Sequence, residues 1–234
     1  MTFSSIITVI VVGFFPSLIW LYFILKEDSR NPEPKRIIAL AFFAGMLCVP
    51  IVLPLEQYVQ THLGKGFSGI VAWATIEETT KYVLAALLIL WRSAVDEPLD
   101  YVIYLITIAL GFAALENALF IFTPIMSGHT ISGLLTGDLR FLGSTLLHVV
   151  ASATIGFALA FSYMKTPLIR MFYVSVGVIL AITLHTSFNL LIMSAGGSRT
   201  FDALLLVWSG AVVVLALLEV VKYRTYRNLP NFYV

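Results

Sequence analysis

Long apolar runs alternate with short polar breaks along all 234 residues of the chain. A membrane-spanning helix needs about 20 mostly apolar residues. Seven stretches meet that standard, at about 4–25, 37–55, 67–91, 101–123, 141–164, 170–193 and 201–221. The pattern predicts an all-α polytopic membrane protein, a bundle of about seven transmembrane helices. The breaks are too short for a soluble domain, so residues 1–234 read as a single transmembrane domain. The first run has no basic region ahead of it and no small-residue cleavage site before Lys26, which marks a retained helix rather than a signal peptide. Loops are expected at 56–66 and 124–140, with glycines (Gly64, Gly66, Gly128, Gly133, Gly137) that permit mobility. The second, being the longest connection, is the candidate gate.

Composition supports the same class. Only 12% of residues are charged and the mean hydropathy is +0.96, against about 25% charged in soluble domains. A net charge of +1 with no basic run and no Gly-rich phosphate loop excludes a nucleic-acid partner. The single Cys48 excludes an intramolecular disulfide and a cysteine metal cluster, and reads as a packing residue. Basic residues are unevenly placed. With the N-terminus outside, the inner segments hold ten (Lys26, Arg30, Lys35, Arg36, Arg92, Lys165, Arg170, Lys222, Arg224, Arg227) and the outer loops three (Lys65, Arg140, Arg199). The positive-inside rule then gives N-terminus out and C-terminus cytoplasmic, in a multi-pass plasma-membrane protein.

A few polar groups interrupt the runs themselves. Glu77, Glu78 and Lys81 sit mid-way through 67–91, where each charge costs about 2.5–3.5 kcal/mol to insert. On a helix Lys81 reaches either carboxylate, and the two glutamates point about 100° apart, which suggests different roles. An ion pair that only joins helices would use one glutamate and leave the other without a purpose. Further polar groups are Glu116 and Asn117 in the fourth run, His148 in the fifth, and His185 and Asn189 on one face of the sixth. At 1.5 Å per residue, Glu77, Glu116, His148 and His185 all fall about 10–15 Å below the outer surface. One shared site in the outer half of the bilayer accounts for four helices placing ionisable groups at one depth. His148 also shares its face with Ala151, Ser152, Ile155 and Gly156, a mostly small stripe suited to close helix approach.

Two histidines, three glutamates and two asparagines suit water activation. A carboxylate in a poorly solvated site serves as a general base. His148, His185 and Glu116 offer the two nitrogens and one oxygen of a catalytic zinc site, although no H-x-x-x-H pair announces one. His and Asn can instead hydrogen-bond a developing oxyanion without a metal. The residues leave both routes open.

Glu77-Glu78-x-x-Lys81, Phe112-x-x-x-Glu116-Asn117, His148 and His185-x-x-x-Asn189, in that order, resemble the PrsW-type intramembrane proteases, relatives of the type II CAAX prenyl endopeptidases. The Pro32-Glu33-Pro34 loop is similar to that family's first cytoplasmic loop. The resemblance implies an intramembrane endopeptidase cutting a membrane-anchored substrate. It assigns water activation to Glu77, support to Glu78 and Lys81, and the oxyanion to His185 and Asn189. Asn117 joins this catalytic set through its motif. CAAX endopeptidases carry histidine where this chain has Glu116, and arginine where it has Lys81, which points away from prenylated substrates. The PrsW branch implies instead a single-span regulator such as an anti-sigma factor. A proton-coupled transporter using the Glu/His cluster as a relay is the main alternative, but the chain shows no inverted repeat. A retinal-type receptor would need a lysine in 201–221, which has none.

Overall fold

A computed structural model describes residues 3–193 and 198–227. Its elements are α1 (Phe3–Glu27), α2 (Lys35–Leu63), α3 (Phe67–Leu88), α4 (Pro98–Met126), α5 (Thr130–Leu139), a π-helical turn (Arg140–Thr145), α6 (Leu146–Phe161), α7 (Pro167–Met193) and α8 (Thr200–Arg227). The run α5–π turn–α6 is one unbroken rod, so the described residues form seven rods and no strand. Six are long and apolar enough to cross a membrane. The exception is α3, where Glu77, Glu78 and Lys81 fall in the middle of the 22-residue helix.

Two expected loops are largely helical. Segment 56–66 mostly continues α2 to Leu63, and most of 124–140 is the end of α4 followed by α5. Apolar runs stop where water-facing side chains begin, but the backbone hydrogen-bond ladder continues past that point. Polar helix formers such as Glu56 and Gln57 carry it outward. The glycine-rich stretch is helical because Gly133 and Gly137 face neighbours: a Cβ on Gly133 would lie 2.5 Å from Ile125, and one on Gly137 2.4 Å from Val12.

The rod at the centre is α4. Every residue from Leu99 to Ala114 is buried, as expected of a helix that is apolar all round and enclosed by others. It packs chiefly on α1, α2 and α6. Its crossing with α2 is reciprocal: a Cβ on Gly45 would stand 1.9 Å from the Ile108 carbonyl oxygen, and one on Gly111 1.9 Å from that of Phe42. Gly156 brings α6 near as well, its Cβ position being 2.8 Å from the Cα of Val102. Small residues at such crossings let backbones meet, which is the main source of helix association in lipid. The apolar faces of α1, α7 and α8 remain uncovered, with Phe15, Phe172 and Val212 among their exposed side chains. These faces suit contact with acyl chains.

One polar junction lies at the far end of α4 from Glu116. Asp28, between α1 and α2, is buried although it lies in a loop. Burial first, then the charge of Asp100, pushes its carboxyl up to about 7. Burial pushes that of Glu33 higher still, up to about 9.

Candidate functional site

The site is built from α3, α4, the π turn, α6 and α7. On α3, the one-turn spacing of Glu77, Glu78 and Lys81 puts the ammonium between both carboxylates, 2.7 Å from Glu78 Oε1 and 3.6 Å from Glu77 Oε2. All three are buried. From α7, His185 Nδ1–H donates to the same Glu78 Oε1 at 2.8 Å, which leaves Nε2 3.9 Å from Glu77 Oε1. From α6, His148 accepts from Lys81 through Nδ1 at 2.9 Å. An ammonium only donates, so His148 carries its proton on Nε2 and gives it to Glu116 Oε2, 3.1 Å away on α4.

Packing holds these rings in place. Phe112 of α4 meets His148 edge-on at 5.0 Å between centroids, and the two histidine rings meet at 5.2 Å. Lys81 Nζ also lies 4.2 Å over the Phe112 ring, a cation–π contact that is strongest where water is excluded.

The residues expected to share one depth therefore form one connected network. Their roles in it differ. Glu78 Oε1 takes two hydrogen bonds, whereas Glu77 Oε2 has none. Glu116 stands behind His148: it accepts from that ring and pairs with Arg140 Nη2. One ligand atom from each of Glu77, Glu78, His148 and His185 lies within 4.8 Å of the others, and Glu116 is outside this group. Asn117 donates to Thr145 Oγ1 at 2.9 Å and accepts from Arg140 Nε at 2.6 Å, so it braces the π turn rather than entering the Glu–His group. Asn189 is half-buried one turn beyond His185.

Sequence reasoning does not find Arg140, Ser144, Thr145 or Glu56 as site residues. Arg140 Nη2 donates to Ser144 Oγ at 2.9 Å as well as to Glu116, and Glu56 of α2 lies beside Glu77. Arg140 and Glu56 fall in segments that hydropathy marks as polar loops, where a charge carries no signal. The π turn is a common way of re-aiming side chains at functional sites, and here it directs Arg140 and Thr145 toward α4.

The donor set fits a metal once the Lys81 ammonium, which holds His148 Nδ1 and Glu78 Oε1, moves aside. Two imidazoles and one carboxylate of the pair match the three protein ligands of a catalytic zinc-type site, and Glu77 Oε2 and Glu78 Oε2 are buried without a hydrogen-bond partner. His148 donating its other ring nitrogen to Glu116 follows the usual carboxylate–histidine support of a metal ligand.

Residues 33–218 match the family model described as PrsW family intramembrane metalloprotease. The chain belongs to the PrsW family. It is similar to the Protease PrsW of Clostridioides difficile (strain 630), 26% identical over 91% of this chain and 89% of the relative. It is also similar to the Protease PrsW of Bacillus subtilis (strain 168), 24% identical over 79% of this chain and 82% of the relative. No solved structure matches it. As a PrsW family member the chain is an intramembrane protease and a multi-pass bacterial membrane protein, which replaces the transporter alternative.

Proposed function

We propose that this PrsW protein hydrolyses a peptide bond of a single-span membrane protein, with Glu77 as the base that activates water. The observation that carries the reading is the contrast within the Glu pair. Glu78 is held through Oε1 by close bonds from Lys81 and His185, while Glu77 is approached by the same two groups only at 3.6 and 3.9 Å, its buried Oε2 making no hydrogen bond. A carboxylate so placed is free to take a proton. The water oxygen bonds to the scissile carbonyl carbon as its proton passes to Glu77. The C–N bond then breaks and Glu77 returns the proton to the leaving nitrogen. Asn189, one turn from His185, is the candidate oxyanion donor.

In this reading His148, His185 and Glu78 are the residues that would hold the metal of the family description. A zinc-type ion bound there supplies Lewis-acid polarisation and lowers the pKa of bound water to about 7. A second reading rests on Lys81. Its ammonium already places a positive charge on Glu78 and His148, and so can stabilise the site without an ion. The basic-residue distribution supports a site in the outer half of the bilayer. A single-span regulator of the anti-sigma-factor kind is the candidate substrate.

The test is cleavage of a single-span peptide by the purified protein in proteoliposomes. Glu77→Gln should reduce turnover about 100-fold or more with folding intact; wild-type turnover would remove Glu77 from the mechanism. Metal content separates the two readings. With a required ion, about one per active chain is found and His148→Ala loses it. Full activity of protein shown to be metal-free decides for Lys81, and Lys81→Met then stays inactive when zinc is supplied.

A further inference from the structure

A second carboxylate cluster lies apart from the Glu–His group, where the α1–α2 loop meets the start of α4. Asp28 follows α1, Glu33 precedes α2 and Asp100 is in the first turn of α4. One carboxylate oxygen from each lies within 4.8 Å of the others. The junction is ordered by neutral contacts. Asp100 Oδ2 accepts from the backbone N–H groups of Asp96 and Glu97 at 2.8 and 2.7 Å. The Tyr104 hydroxyl donates to Glu33 Oε2, and Asn31 Nδ2 donates to Glu97 Oε1 at 3.0 Å.

Glu33 and Asp100 also share a side-chain hydrogen bond. Asp28 is 1% exposed, and neither of its oxygens has a hydrogen-bond partner; Asp100, fully buried, has a bare Oδ1. The donors that reach Glu33 and Asp100 are a tyrosine hydroxyl and backbone N–H groups. Three carboxylates at this spacing cannot all be ionised without a counter-charge. Oxygen-only donors with no sulfur or nitrogen select a hard ion of the calcium or magnesium kind.

We propose that Asp28, Glu33 and Asp100 bind a hard divalent cation that fastens the α1–α2 loop to the start of α4. The ion joins loop and helix through an oxygen from each carboxylate. Nothing in peptide hydrolysis uses these residues, and binding is independent of the protease reading.

The probe is terbium, a calcium substitute whose luminescence tyrosine sensitises, and Tyr104 touches Glu33. The full chain in detergent, stripped with chelator, should show saturable terbium luminescence that calcium or magnesium displaces. Asp28→Asn and Glu33→Gln should each weaken binding about tenfold or more, while Glu77→Gln/Glu78→Gln, which removes the other acidic pair, leaves it intact. Calcium should also raise the thermal midpoint of wild type but not of Glu33→Gln, whose partly exposed site tolerates the change if Asp28→Asn does not fold. No saturable signal, or binding unchanged in a folded Glu33→Gln variant, overturns the proposal and leaves a carboxyl cluster that shares protons.

Discussion

At the scale of single residues, the protein concentrates its cost in a few side chains and satisfies them through one another. Arg140 and Glu116 show how. Their side chains are 14% and 19% exposed, and Glu116 is also the acceptor for His148. Removing one partner of a pair this buried leaves the other charge uncompensated, at a cost of about 3 kcal/mol. Arg140→Gln should therefore lower the thermal midpoint in detergent, and adding Glu116→Gln in the same chain should restore most of it. Equal losses in the single and double variants would show that the pair does not couple. Glu77, Glu78, Lys81, His148 and His185 are legible in the sequence because an ionisable group inside an apolar run is too costly to keep without a use. Arg140 is illegible for the opposite reason: beyond the end of a run, basic residues are common and uninformative.

Elements obey a different constraint, which is how near two backbones can come. The crossing of α2 with α4 is made of glycine on both sides, and it sets the height of Phe112 and Glu116 against the rest of the bundle. Gly111→Ala and Gly45→Ala should each destabilise the protein by roughly 1–3 kcal/mol or more, since the new methyl meets a carbonyl oxygen rather than a flexible side chain. Gly66→Ala is the matched control, because nothing lies within 4 Å of its Cβ position. Yields of monodisperse protein and thermal midpoints compare the three; a neutral Gly111→Ala would mean that the crossing relaxes freely. Helix existence is legible in the apolar runs, but helix length is not. The observed α2 exceeds its apolar run by eight residues at the C-terminal end, from 55 to Leu63, because hydropathy reports the surroundings of side chains and not the backbone ladder.

For the whole molecule, apolarity cannot separate a buried helix from one facing lipid, since both are apolar all round. Hydropathy therefore carries no sign that α4 is central and that α1, α7 and α8 are peripheral. Orientation is likewise a property of the assembled protein, and basic-residue placement predicts N-terminus out. Cysteine placed at exposed Ser29 should resist a membrane-impermeant maleimide in intact cells, and cysteine at exposed Ser132 should react. Native Cys48, fully buried, gives little background. Labelling in the reverse pattern would invert the topology and move the Glu–His group to the inner leaflet.

The π turn at Arg140–Thr145 is, in effect, an α-helix with one amino acid too many. Such a surplus can be taken out. Leu142 points outward, 40% exposed, and its side chain fills no core. Excising it would let α5 and α6 fuse into a regular helix of nearly unchanged phase, closing the wide turn from which Arg140 and Thr145 reach α4. Arg140 would swing away from Glu116, while His148 kept its place. The shortened chain should still insert and fold, yet cleave a peptide more slowly than the parent. If it cleaved a peptide at the parental rate, the extra residue would be mere tolerance of an insertion; if it did not, a single-codon deletion far from Glu77 would act as an off switch for the enzyme.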